Sequence, residues 1–193
     1  MTTKLSNDRK LDQFYTHPDY AKAFLSVINS YVDMSSYDIH LEPSAGSGSF
    51  YLNLDANYRT GVDIDPKIEG IEKIDFFEWE YPTDKSIITI GNPPFGKNST
   101  LAIKFFNQSA IFSDCIAFVL PRTFRKISVI NRLNSNFHLV YDETVPDNSF
   151  IFENKPGTSA ARLVQPPAAT RGLEPRNARL SSGEVARRAL ALN

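Results

Sequence analysis

Apolar residues recur along this chain in two rhythms, short unbroken runs and stretches with three- and four-residue spacing, and their alternation predicts an α/β fold. The runs mark strands at Ile39–Pro43, Gly61–Pro66, Lys73–Phe77, Ser86–Ile90, Cys115–Leu120 and Phe137–Val145, with a further extended segment at Asn148–Glu153. Cys115–Leu120 is apolar throughout, as expected for a central parallel strand covered on both faces. Helical spacing sets Tyr20, Phe24, Val27, Ile28 and Tyr31 on one face of a helix over Asp19–Tyr31. It does the same for Leu101, Ile103, Phe105, Phe106 and Ala110 over Thr100–Phe112. A helix is expected over Thr123–Leu133, and another begins near Phe50. Thr16 is the expected N-cap of the first helix, with Pro18 in its first turn and Asp19 as a capping-box acid.

At 193 residues and 41% hydrophobic content, the chain suits one globular domain with a sizeable core. Net charge is -1, so there is no global basic field for nucleic acid, and contacts of that kind must come from local patches. Arg122, Arg125, Lys126 and Arg132 form the best such cluster, although a solvated helix face accounts for them equally well. The single cysteine, the lack of a bilayer-length apolar run and the lack of a secretory leader point to a reducing, cytoplasmic setting. The three histidines lie far apart without metal-ligand spacing, and no metal is expected.

The candidate chemistry sits at strand ends. Gly91-Asn92-Pro93-Pro94-Phe95-Gly96 directly follows the fourth strand, where side chains project into a crevice. The two prolines stiffen the turn and supply no N–H donors. The Asn92 carboxamide and the Pro93 carbonyl are thereby suited to converge on one amino group. Phe95 adds a flat apolar face for stacking, so the set suits a planar amine, although a plain strand-ending turn uses the same residue types. Ser44-Ala45-Gly46-Ser47-Gly48-Ser49-Phe50 follows the first strand as a turn whose glycines let the backbone approach a ligand. Asp63 ends the second strand at a distance suited to ribose hydroxyls, whereas Asp65 reads as a turn cap. Asp75 and Phe76 stand at the tip of the third strand, where an acid and a ring suit an adenine edge and face. Taken alone, Asp75 reads as a solvated loop charge.

Composition changes near Gly157. Residues 157–193 contain no Lys, Asp, Ile or aromatic residue but hold eight Ala and six Arg, while the preceding 156 residues carry fifteen Ile and all fourteen Phe. The first set is encoded by GC-rich codons and the second by AT-rich ones, which predicts one domain over residues 1–156 followed by a foreign tail over 157–193. The tail is expected to be non-native or disordered.

With these pieces in order, residues from about 10 to 156 resemble the class I S-adenosylmethionine-dependent N6-adenine DNA methyltransferases. The family pattern Asn/Asp/Ser-Pro-Pro-aromatic is met by Asn92, Pro93, Pro94 and Phe95. Asp12-Gln13-Phe14-Tyr15-Thr16-His17-Pro18 is similar to the N-terminal cofactor motif, and Glu42-Pro43-Ser44-Ala45-Gly46-Ser47-Gly48-Ser49-Phe50 to the glycine-rich one. The resemblance implies cofactor contacts from Tyr15, Thr16, Glu42, Pro43, Ala45, Gly46, Gly48 and Phe50, with Tyr15 and Thr16 on the methionine part. Asp63 and Ile64 would contact ribose and adenine, and Asp75 and Phe76 adenine.

The same resemblance implies a Rossmann-like, mostly parallel, doubly wound sheet flanked by helices. Its final antiparallel strand is expected to be missing here, because the pattern breaks just after Phe152. It further implies S-adenosyl-L-methionine as cofactor and DNA with a flipped-out adenine as partner. The setting would be restriction–modification, with target recognition left to a region or subunit beyond the catalytic motifs. Methylation of RNA adenine, methylation of a protein glutamine amide, and a non-catalytic cofactor-binding remnant remain alternatives.

Overall fold

The computed structural model describes residues 14–145, 150–152 and 188–192. Asp12 and Gln13 of the leading motif, residues 148, 149 and 153 of the last extended segment, and the compositional boundary at 156/157 lie outside the described residues. In chain order the strands are β1 (Phe14–Thr16), β2 (Ile39–Glu42), β3 (Arg59–Asp63), β4 (Glu72–Lys73), β5 (Ile87–Gly91), β6 (Cys115–Val119), β7 (His138–Tyr141), β8 (Phe150–Phe152) and β9 (Arg188–Leu192). The helices are α1 (Pro18–Tyr31), α2 (Thr100–Phe112) and the short α3 (Ile127–Ile130).

Strands β4-β3-β2-β5-β6 form an all-parallel sheet flanked by helices, a Rossmann-like α/β arrangement. The strand order reverses between β2 and β5, and this switch point opens a crevice at the carboxyl ends of the strands.

Period-two alternation in the two central strands explains the layering. Ile88 and Ile90 of β5, with Cys115, Ala117 and Val119 of β6, pack with Ala21, Phe24 and Ile28 of α1. Ile87, Ile116 and Phe118 belong to a second cluster with Ala102, Ile103, Phe105 and Phe106 of α2. Every residue of β5 and β6 is therefore buried, one set under each helix layer. Phe24 and Phe50, both buried, meet edge to face at 5.8 Å. Each contributes roughly 1.5–3 kcal/mol by burial.

Four local expectations need correction. His17 caps α1, its Nδ1 accepting from the Asp19 N–H at 3.2 Å, because Thr16 is taken into β1. The glycine turn leads into a single 3₁₀ turn at Tyr51–Asn53 and not into an α-helix. The third strand stops at Lys73, since Asp75 opens a turn: its Oδ1 accepts from the Phe77 N–H at 3.0 Å and its carbonyl from the Glu78 N–H at 2.8 Å. Thr123–Leu133 divides into a 3₁₀ turn at Arg122–Arg125 and α3, parted by extended Lys126 (ψ 134°). Its buried members, Phe124 and Val129, are five residues apart, which is not a helical stripe.

Residues 188–192, within the compositionally distinct tail, form a strand that lies parallel between β6 and β7 and extends the sheet to seven strands. The one antiparallel pairing among the described strands joins β1 to β8, with Tyr15 opposite Ile151, in a separate two-stranded sheet. Among the described residues no helix is long and apolar enough to cross a membrane.

Candidate active site

Parallel strands ending on one rim bring distant motifs together. Tyr15, Thr16, Glu42, Pro43, Ala45, Gly46, Asp63, Ile64, Asp75, Phe76, Asn92, Pro93, Pro94 and Phe95 all line one cleft of about 400 Å³. These come from β1, from the tips of β2, β3 and β5, and from the turn after β4.

The turn after β2 is tied down from below and from the side. Glu42 is buried, and its Oε2 accepts from the Tyr51 N–H at 2.6 Å, so this carboxyl bends the glycine turn back over the strand. Burial pushes the Glu42 carboxyl well above the usual carboxylate range, against the opposing pull of the Tyr51 N–H, and the nearby Asp63 charge pushes it further up. Gly46 stands at φ +46°, and a Cβ there would lie 3.3 Å from Tyr15 Cε1 and 3.8 Å from Asp63 Oδ2. Its N–H donates to Asp63 Oδ2 at 2.7 Å, while the Asp65 N–H donates to Asp63 Oδ1 at 2.7 Å. Two backbone amides thus fix the Asp63 carboxylate, and each oxygen keeps a second lone pair for a ligand hydroxyl.

The Asn-Pro-Pro-Phe turn is held at three points. Asn92 Nδ2 donates to Thr16 Oγ1 at 3.2 Å, and the Ser44 hydroxyl donates to the Asn92 carbonyl at 3.3 Å. The Phe95 carbonyl accepts from the Leu101 and Ala102 N–H groups, each at 3.2 Å, at the start of α2. Pro93 is buried, and Pro94 and Phe95 are half-buried. The carboxamide of Asn92 and the ring of Phe95 are therefore set on a stiff support, as a site for a planar amine requires.

Two residues expected at the site are not on the cleft. Phe50 is fully buried among the core residues under α1. Gly48 faces Ile68, whose Cδ1 an added Cβ would overlap, so the missing side chain there serves packing. Phe76 lines the cleft but is only 2% exposed, its ring stacked on Phe105 at 5.0 Å. Its neighbour Phe77 presents the more exposed ring, at 39%. A Phe-Phe doublet in a turn gives no periodicity from which to choose between the two.

Several lining residues had no expected role. Ser44 acts through its bond to Asn92, Leu101 and Phe105 reach the cleft from α2, and Lys67 pairs with Asp65 there. The Asp65 carboxylate, read from the sequence as a turn cap, bonds Lys67, which holds it below the usual range, while Asp63 Oδ1 takes the N–H of the turn. A hydroxyl one residue past a Glu-Pro pair carries no distinguishing sequence signal, and Lys67 reads as an ordinary surface charge. Among the described residues, no group of three or more His, Cys, Asp or Glu side chains is placed to hold a metal ion.

Neither a scan against protein-family models nor a search among curated proteins finds a match for this sequence.

Proposed function

We propose that this chain transfers a methyl group from S-adenosyl-L-methionine to the N6 amino group of adenine in DNA. One observation carries the reading: the Thr16–Asn92 bond couples the leading aromatic segment to the Asn-Pro-Pro-Phe turn, in a cleft shared with Gly46, Asp63 and Asp75. Each of these matches a different motif of the family the sequence resembles, and they are separated by up to 77 positions, from Tyr15 to Asn92.

The residues fit the cofactor. A cleft of about 400 Å³ lies within the roughly 300–1,000 Å³ usual for small-molecule sites. The missing Cβ of Gly46 lets the Tyr15 ring pack against the turn at the cleft wall, Asp63 retains acceptor capacity for ribose hydroxyls, and Ile64, 50% exposed, offers an apolar cover for a base. When bound, the cofactor supplies an electrophilic methyl group on a sulfonium centre.

The chain's own part is to hold and prepare the acceptor. The N6 lone pair of adenine is delocalised into the ring. Accepting both N6 hydrogens on the Asn92 side-chain oxygen and the Pro93 carbonyl localises that pair on nitrogen. These bonds strengthen as positive charge develops, so they favour the transition state over the bound amine. Flipping the base out of a duplex costs a few kcal/mol, and stacking on Phe95 returns about 1–3 kcal/mol of that.

Tritiated-methyl transfer to DNA, RNA and protein in parallel tests the reading. Label is expected in DNA as N6-methyladenine. Asn92→Ala is expected to abolish transfer while cofactor binding, read by calorimetry, survives. Transfer by Asn92→Ala at the wild-type rate would defeat the assigned role, and label in glutamine or RNA alone would replace the substrate.

A further inference from the structure

The sheet topology sorts charge by side. Residues 42–84, which build β2, β3 and β4, carry ten Asp and Glu against three Lys and Arg. Residues 85–141, which build β5, β6 and β7, carry seven Lys and Arg against a single acid, Asp114. Because the strand order reverses between β2 and β5, these two stretches lie on opposite sides of the cleft. A net charge of -1 therefore conceals an acidic stretch and a basic one set on either side of the cleft.

On the basic side, three exposed cations follow the carboxyl ends of β5 and β6. β6 runs parallel to β5 with Phe118 opposite Gly91, so the chain leaving β6 through Pro121 and Arg122 emerges beside Asn92 and the two prolines. Lys97 stands two residues past Phe95. The Ser99 and Thr123 hydroxyls bond to each other and fasten the turn carrying Lys97 to the one carrying Arg122. Lys126 follows, and beside it Ile127 is 74% exposed. Lys97, Arg122 and Lys126 are all exposed.

We propose that Lys97, Arg122 and Lys126 form the surface that grips the phosphodiester backbone of the substrate nucleic acid, with Ile127 as an apolar contact against the duplex. The assignment rests on the methyl-transfer reading for the identity of the substrate, and on charge complementarity for the surface itself. A polyanion must approach this cleft from its basic side, because the β2–β4 side repels it. The arrangement places an aromatic ring, Phe95, next to the cations, as a base drawn out of a strand requires. Ile127 belongs to the surface because an exposed β-branched side chain next to Lys126 suits a groove contact.

The test is fluorescence anisotropy with a fluorescein-labelled duplex, without cofactor, over a series of salt concentrations. Wild-type affinity should fall linearly on a log–log plot. Each phosphate contact removed should reduce the slope by about 0.9, so Arg122→Glu/Lys126→Glu should lose close to two units and bind at least tenfold more weakly. The milder Arg122→Gln/Lys126→Gln should lose the same slope, which guards against a folding defect that circular-dichroism melts would also reveal. Lys85→Glu makes an equivalent charge change just before β5, at the opposite end of the strands, and should alter affinity less than twofold. A double variant with wild-type slope and affinity, or a wild-type chain with no duplex binding, overturns the proposal. Weakened binding by the double variants of a chain that transfers no methyl group would uphold this surface and refute the methyl-transfer reading. Methyl transfer with unaltered binding by the double variants would do the reverse.

Discussion

Replacing Gly46 with alanine asks most directly whether the glycine turn is a ligand cradle. At φ +46° an L residue pays for the left-handed backbone, about 1–2 kcal/mol. The new Cβ would also stand 3.3 Å from Tyr15 Cε1, closer than ordinary contact, so the half-buried ring must shift by a few tenths of an ångström. That adds a fraction of a kcal/mol, for a total of about 2 kcal/mol. In a domain of this size the melting temperature should fall by about 4–8 °C. The Gly46 N–H bond to Asp63 survives, but the methyl group presses on Tyr15, whose ring lines the same cleft as Asp63 and must move. Cofactor affinity by calorimetry should therefore drop at least tenfold, a loss of about 1.4 kcal/mol. Gly96→Ala provides the comparison: at φ +66°, with Leu101 Cβ 2.8 Å from the added carbon, it should destabilise at least as much and leave cofactor affinity within threefold. A Gly46→Ala protein that melts with wild type and binds cofactor equally would refute the conformational and the ligand arguments together.

Two further outcomes follow from single interactions. Thr16→Val keeps the shape of a buried side chain but removes the acceptor for Asn92 Nδ2; kcat should fall about three- to tenfold, corresponding to about 0.5–1.5 kcal/mol, with a smaller change in KM and recovery in Thr16→Ser. Equal losses in Val and Ser variants would show that the hydroxyl does not orient Asn92. Burial pushes the Asp142 carboxyl up to about 7, with Arg125 pulling the other way, and its Oδ1 has no hydrogen-bond partner among the described residues. The folded-state value stands above the unfolded one, so the folded chain holds the extra proton and stability falls as pH rises from about 4 to about 7, by up to about 1.4 kcal/mol per unit. Asp142→Asn should flatten that fall, its advantage over wild type in urea melts growing from pH 5 to pH 8; a constant difference would locate the effect elsewhere.

Periodicity made the helix over Thr100–Phe112 and the central strands legible, because their burial is decided by local spacing. The fate of Phe50 was not legible: beside a glycine turn an aromatic residue reads as a ligand contact, and only the packing of α1 against the sheet puts Phe24 over it. Thr16 reads as a cap for a similar reason. Its hydroxyl and that of any N-cap threonine look alike in sequence, and the choice was made by strand β8, 134 positions further on, which pairs with the segment and draws Thr16 into β1. The tail shows the limit of composition. Amino-acid composition marked residues 157–193 as different but could not show that residues 188–192 have a strand partner on each side, because backbone pairing does not depend on composition.

The sequence by itself determined the strand–turn motifs, since Gly-x-Gly and Asn-Pro-Pro-Phe restrict backbone conformation within a few residues. It also determined which strands are central, because only unbroken apolar runs tolerate cover on both faces. The tertiary structure decided that these motifs share one cleft, through the reversal of strand order at β2 and β5. It likewise decided that the acidic stretch 42–84 and the basic stretch 85–141 lie on opposite sides of that cleft. Both depend on which strands become neighbours, a property of long-range pairing that no local spacing encodes.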